Sequence, residues 1–413
     1  MKTPVVFIIF NRPDTTKIVF EKIRDYKPEE LFVIADGPRT DRLNETELCK
    51  QARDVINVDW DCNVTFFYSE MNLGCQKRIS SGLDLVFNKV ERAIILEDDC
   101  VPHLDFFAYC EELLEWYADD TRIMAVSGDN FQNADFNIPH SYYFSLYNHV
   151  WGWATWRRAW KHFDVDMNLW PAIKKEGLLK DILDNKFEEY YWENIFEKTY
   201  QKQVDSWAYA WTFACWIQNG LTILPKRNLV SNIGFGENAT HTKGSDQLTG
   251  NLPVYAIEKP FLHPNFIIRN KNSDSYTSEN IFGMKQQKES LSSIGLKKIP
   301  LYERILKGEK SIFNSLISAG QEKLALYGAG RMGRFILKHA ADFNIKIQYL
   351  IDSNPNLHDQ LISGAKVISL NEVRNNDIET IVVTIEGDHD KEIIKKLYKD
   401  HPEVNIISWK ELI

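Results

Sequence analysis

The sequence contains no apolar run approaching the eighteen or so residues that a membrane-crossing helix needs. Its first apolar stretch, Pro4 to Phe10, is too short for a secretory leader with a cleavage site and runs straight into Asn11-Arg12-Pro13. That stretch reads as a first strand, and the chain is expected in the cytoplasm. Basic clusters are also missing: the net charge is −9, and no Lys/Arg stripe forms that could track a phosphate backbone. Nucleic acid is therefore not expected as a partner. The 6 cysteines include no Cys-x-x-Cys pair and no zinc spacing, which points to reduced thiols. Internal repeats and low-complexity tracts are absent too.

What is present fits two or three packed domains in 413 residues. The hydrophobic fraction is 44%, and 12 tryptophans stand out among the aromatics. Short apolar runs at Pro4–Phe10, Leu31–Ala35, Asn63–Tyr68 and Ala93–Leu96 read as buried strands. Helical patterns separate them at Thr15–Tyr26, opened by Asp14 as its cap, and at Gln76–Phe87. Strand and helix alternating over short connections define an α/β fold with a largely parallel sheet. Ligands of such sheets bind beyond the carboxyl ends of the strands.

Polar residues collect at those ends. Arg12 follows the first strand, Asp36 the second, and Glu97-Asp98-Asp99 the fourth. Three consecutive carboxylates at the mouth of an apolar strand repel one another and call for a cation or several donors. A solvated turn is the competing reading.

These pieces, in order, resemble a GT-A fold glycosyltransferase, and more narrowly the N-acetylglucosaminyltransferase I family and its bacterial relatives. The matching stretches are Ile9-Phe10-Asn11-Arg12, Ile34-Ala35-Asp36-Gly37, Glu97-Asp98-Asp99 with Pro102 and Phe106-Phe107, Val150-Trp151-Gly152-Trp153, and Asp205-Ser206-Trp207. The resemblance covers residues 1–245 and implies a GT-A nucleotide-sugar-binding mixed sheet flanked by helices. It implies that Asp99 ligates Mn²⁺ or Mg²⁺, that Asp98 and Glu97 hydrogen-bond the ribose and donor sugar, and that Asp36 accepts from a uracil N3–H. Arg12 would face the base or phosphates. Arg78 stands where the family has a histidine near the donor, and a helix-surface arginine explains it equally well. Asp205 would be the base of an inverting transfer, although a helix cap alone also accounts for a carboxylate there. Trp151 and Trp153 are expected on the acceptor side, against a core turn as the alternative. Residues 228–241 would form a lid, with His241 at the metal or simply solvated.

Residues 246–319 read as a polar connector and packing segment. From residue 320 a second α/β unit begins, with Leu324–Tyr327 running into Gly328-Ala329-Gly330-Arg331-Met332-Gly333 and an acid, Asp352, about 20 residues on. Two further strands, Thr380–Thr384 and Val404–Ile407, leave it small. It resembles the Rossmann-like modules attached to sugar-modifying enzymes, and nucleotide binding and a purely structural role both fit.

The function expected on these grounds is transfer of a sugar from a nucleotide-diphosphate donor, UDP-N-acetylglucosamine being the sugar nucleotide the resemblance favours. The acceptor would be a glycan or a lipid-linked saccharide of bacterial surface polysaccharide synthesis, with peripheral membrane association arising through the acceptor. One alternative is a sugar-phosphate nucleotidyltransferase, but Asn11-Arg12-Pro13-Asp14 lacks the Gly-rich basic loop which that chemistry uses after strand one. The other is a non-catalytic nucleotide sensor led by the C-terminal unit.

Overall fold

A computed structural model describes residues 2–235, 249–284, 312–318, 323–340, 345–385 and 389–412. The chain divides into two compact units, Met1–Glu289 and Ser290–Ile413. The first has a mixed α/β architecture.

Its main sheet uses β1 (Val5–Ile9), β2 (Glu30–Ala35), β3 (Asn63–Tyr68), β4 (Arg92–Glu97), β6 (Ile123–Ser127), β7 (Tyr142–Ser145), β8 (Trp153–Trp156) and β9 (Leu221–Pro225). Spatial order is β3-β2-β1-β4-β8-β6-β9-β7. The first four strands are parallel, while β8 pairs antiparallel with both β4 and β6. Parallel strands joined by crossover helices are covered on both faces, which is why β1 and β4 are continuously apolar rather than alternating. Along β1, Val5, Phe7 and Ile9 face one core and Val6 and Ile8 the other.

Expected elements and observed ones agree closely in the first hundred residues. Two differences have physical causes. The first helix is Pro13–Tyr26, with Pro at its first position and Asp14 inside the first turn, so Asp14 complements the helix dipole and is not the cap. A helix at Glu45–Asp54 went unread because Glu-Thr-Glu-Leu-Cys-Lys-Gln-Ala-Arg-Asp offers only a thin apolar stripe.

The segment after residue 249 packs within the first unit. Asn270 caps the helix Lys271–Tyr276. Asp274 on that helix accepts from Ser145 Oγ at 2.5 Å and Leu146 N at 3.1 Å, and is paired with Arg269. A buried carboxylate is tolerable there because arginine and two further donors meet it.

The second unit has a six-stranded sheet in the order β13-β14-β12-β11-β15-β16, from β11 (Leu324–Tyr327), β12 (Ile347–Ile351), β13 (Leu361–Ile362), β14 (Ala365–Ile368), β15 (Thr380–Val383) and β16 (Asn405–Ser408). All pairs are parallel except β13 with β14. The pair β13 and β14 enlarges the unit beyond the strands expected from sequence.

Candidate functional site

The parallel half of the sheet sends β1, β2 and β4 to a common edge, and a cavity of about 250 Å³ opens there. Arg12, Asp36, Arg78, Glu97, Asp98, Asp99, Trp151 and Asp205 all line it. Residues separated by almost two hundred positions in sequence thus converge on one space.

Arg12 bridges two of these carboxylates. The guanidinium pairs with Asp98 and reaches Asp99 Oδ2 at 2.8 Å. Asp98 also accepts from Phe10 N at 3.1 Å and is only 2% exposed. Burial alone would lower the arginine's pKa, but the two carboxylates outweigh it and the net shift is upward. Burial pushes Asp98 up to about 6 despite its arginine partner. Glu97 is pushed up to about 8 by burial and then by Asp99 and Asp98 beside it.

Opposite Asp99 runs Gly234. A Cβ on it would fall 2.0 Å from Asp99 Oδ2 and 2.8 Å from Arg12 Nη1, so any other residue there would have to displace this ion pair. Carboxylate oxygens are the donor type that Mg²⁺ and Mn²⁺ take, and such ions are commonly held by one or two protein carboxylates plus substrate phosphates. The Asp99–Gly234 cradle fits that chemistry, with Arg12 now engaging the oxygen concerned. Among the described residues no group of three or more His, Cys, Asp or Glu side chains forms a self-sufficient metal site. His241 lies outside the described residues.

Asp36 and Asp205 share one task. Asp36 accepts from the backbone N–H groups of Gly37, Leu73 and Gly74 at 2.9 to 3.0 Å. Asp205 accepts from Cys75 N at 3.1 Å and Gln76 N at 2.9 Å, the first amides of the helix Cys75–Phe87. Together they fix the turn from Leu73 to Gln76 against the cavity. Asp205 does cap a helix, but not the one that follows it, Ala208–Trp216, whose first turn has no side-chain cap. A uracil N3–H at Asp36 would share lone pairs already given to amides.

Arg78, on the helix Cys75–Phe87, is 7% exposed and donates to Phe67 O at 2.8 Å, while its Nε has no partner. Burial lowers its pKa, against the pull of Asp36. It is a buried arginine lining the cavity and not a surface one. Cys75 also lines the cavity, but burial, with Glu97 and Asp205 nearby, raises its thiol pKa well above normal, so no thiolate nucleophile is on offer.

The two tryptophans separate. Trp151 lines the cavity, its amide donating to Asp129 Oδ2 at 3.0 Å. Trp153 is a correction to the expectation: it is 1% exposed and packs on Trp207 and Trp211 at 5.3 and 5.7 Å. It starts β8, which lies between β4 and β6 with both faces covered. The segment expected as a lid begins instead as a strand, β10 (Val230–Asn232), paired with β5 (Cys100–Pro102); its part from residue 236 lies outside the described residues. Asn72, Asn232, Gly234 and Arg39 complete the wall without having been singled out in the sequence. Of these, Arg39 had a readable signal, two residues past Asp36-Gly37, and it is paired with Glu45.

Asp129, behind Trp151, is fully buried, with Oδ1 unpartnered, and burial holds its pKa well above the ordinary value. Its folded pKa exceeds its unfolded one. The stability it contributes is thus present below the ordinary carboxyl pKa and lost as pH rises through the folded value. Asp129→Asn keeps an acceptor for Trp151 N–H and cannot ionise. Relative to wild type it should gain about 1–3 kcal/mol as pH is raised from 5 to 9, read from paired melting curves; a pH-independent difference would contradict the assignment.

In the second unit, Gly328-Ala329-Gly330 joins β11 to the helix Arg331–Ala340. A Cβ on Gly333 would meet Gly328 O at 2.0 Å. Gly333→Ala should therefore destabilise this unit by about 1–3 kcal/mol, measured by denaturant melts. Beside Gly330 there is open space. Asp352 accepts from Ala329 N at 2.7 Å and Asn354 N at 2.8 Å, so its carboxylate braces the glycine loop.

No family model matches the chain, and no curated protein does. Among solved structures, a mannosyltransferase from Pyrobaculum calidifontis, in complex with GDP-Man and Mn²⁺, matches 38% of this chain and 45% of its own at 15% identity and TM-score 0.26. A 4-diphosphocytidyl-2C-methyl-D-erythritol synthase from Anaerococcus prevotii matches 47% and 84% at 10% identity and TM-score 0.24. The Rex-family repressor RSP in complex with β-NADH matches 22% of this chain and 57% of its own at 15% identity and TM-score 0.19.

Proposed function

We propose that the first unit is a GT-A-type inverting glycosyltransferase. It moves a sugar from a nucleotide-diphosphate donor, with UDP-N-acetylglucosamine the first to test, to a hydroxyl of a glycan or lipid-linked acceptor. The observation that carries this reading is the convergence of Arg12, Arg78, Glu97, Asp99 and Asp205 on one cavity at the carboxyl edge of the parallel strands.

On this reading each wall residue has a task. Arg12 presents a permanent positive charge to the donor diphosphate, and Asp98 orients it through their ion pair. Glu97, on the same wall, offers its carboxyl oxygens to a sugar hydroxyl. Asp205, at the rim, takes the proton from the acceptor hydroxyl. The acceptor oxygen bonds to the anomeric carbon as the bond to the diphosphate breaks on the opposite face, and the nucleoside diphosphate leaves with the electron pair. Asp99 would hold the divalent ion that the family resemblance implies, and that ion would supply charge neutralisation to the leaving diphosphate.

The test is a thermal-shift screen of nucleotide sugars with and without Mn²⁺ on wild type and Asp99→Asn. At a hundredfold excess over Kd a true donor stabilises by about 2.7 kcal/mol. Metal-dependent stabilisation lost in Asp99→Asn is expected; stabilisation by no nucleotide sugar overturns the reading. Pyrophosphate release from a nucleoside triphosphate and a sugar phosphate would favour the nucleotidyltransferase instead. For the second unit, nucleotide binding at Gly328, Gly330 and Gly333 with Asp352 is proposed on the open space at Gly330, and equilibrium dialysis against NADH and UDP tests it.

A further inference from the structure

A second cavity in the first unit, about 630 Å³, is larger than the carboxylate-lined one and shares none of its residues. Three remote segments build it, around residues 130–136, 226–228 and 276–283, with Leu252, Pro253 and Tyr255 closing one side. Its walls are cross-linked by buried amides. Asn130 Nδ2 donates to Pro225 O at 2.7 Å and Lys226 O at 2.9 Å, and Asn228 Oδ1 accepts from Asn130 N at 3.0 Å. Gln132 Nε2 donates to Ser273 O and Thr277 Oγ1, each at 3.1 Å. The space between these segments is therefore held open by specific bonds, and its volume is that of a small-ligand site.

Its chemistry differs from that of the first cavity. Lys226 and Arg227 both line it, and neither is paired with a carboxylate among the described residues. Arg227 lies over the Tyr255 ring at 5.4 Å. Glu279 is the single acid on the described wall, so the cations outnumber it in a chain whose net charge is −9. Phe131, Phe136 and Tyr255 add aromatic side chains to the wall, the residue type that packs on sugar C–H groups. The two cavities share a partition: Phe131 lines this one and meets Trp151, which lines the other, edge-on at 5.3 Å and 74°.

We propose that this second cavity is the acceptor subsite and that it takes an acidic saccharide, one bearing a carboxylate or a phosphate. Aromatic side chains flank the ring, Lys226 and Arg227 receive the anion, and the reacting hydroxyl would extend past the Phe131–Trp151 contact to reach Asp205. The word acceptor rests on the transfer reading above; the acidic-saccharide site does not.

Saturation-transfer NMR on the full chain tests it with methyl β-D-glucuronide, glucose 6-phosphate and the neutral methyl β-D-glucoside. Binding of at least one acid and not of the glucoside is expected, the two acids telling carboxylate from phosphate. In the double variant Lys226→Ala/Arg227→Ala the Kd should rise at least tenfold while stabilisation by nucleotide sugar stays unchanged; Arg227→Lys should retain most of the binding. Equal binding of the glucoside, or acid binding unaffected by the double variant, overturns the site. Displacement of the acid by a nucleotide sugar would overturn it too, by placing the acid in the first cavity. Transfer to neutral acceptors without acid binding would refute this inference and leave the transferase standing. Acid binding in a chain stabilised by no nucleotide sugar would refute its acceptor role.

Discussion

Asp205→Asn should bind nucleotide sugar as wild type does and transfer it about 10²–10⁴ times more slowly, the range that a positioned general base contributes. The substitution is nearly isosteric, and its carbonyl oxygen can still accept one of the two amides, Cys75 N or Gln76 N, that the carboxylate now holds. The other amide loses its partner, which costs about 1 kcal/mol, the typical value of a helix cap. The two roles of this residue predict different measurements. A cap alone gives a slightly lower melting temperature with an unchanged turnover rate at saturating substrate. A base gives a fall in kcat with little change in donor affinity, because the proton it removes belongs to the acceptor. A variant that melts slightly earlier and turns over normally would reduce Asp205 to its hydrogen bonds, and the base would have to be sought elsewhere on the cavity wall.

That Asp205 has two roles to separate shows where sequence is informative and where it stops. The strand carrying Ala93 to Leu96 and its abrupt Glu97-Asp98-Asp99 ending were plain, because a strand covered on both faces must be uniformly apolar and its end must not be. The same rule hid Trp153. In β8, which Trp153 starts, every residue is buried, so no alternation marks that tryptophan as core. Asp36 and Asp205 were visible as carboxylates at the right places, but not as joint anchors of one turn. Those contacts span 37 and 130 residues of sequence, and no local pattern encodes a hydrogen bond at that distance. In sequence Gly234 is one more residue of a polar loop, since the Asp99 and Arg12 side chains that crowd it come from elsewhere in the chain. The second cavity left no motif at all. Its side-chain amides donate to backbone carbonyls 95 and 141 residues away, and a sequence of ordinary asparagines and glutamines does not announce that.

Arg12→Met should be the most destabilising single change at the site, by about 3–5 kcal/mol, which is the cost of removing one partner from a buried ion pair. Asp98 is almost wholly enclosed and its pKa is already raised with the arginine in place, so without it the carboxylate keeps only Phe10 N–H. Methionine fills much of the vacated volume, which confines the loss to charge and hydrogen bonding and limits the cavity term. Arg12→Lys should lose less, keeping the charge but not the fork that spans Asp98 and Asp99. The decisive comparison is the double variant Arg12→Met/Asp98→Asn. If the destabilisation comes from a stranded carboxylate, removing that charge as well recovers most of the stability, and the cycle shows a coupling of at least 1 kcal/mol. Additive losses would mean that Arg12 supports the fold through packing alone. Donor binding reads the same residue from the other side: the double variant, refolded in stability, should still bind nucleotide sugar at least tenfold more weakly than wild type, because the charge that faces the diphosphate is gone. Stability recovered together with full donor affinity would remove Arg12 from the site.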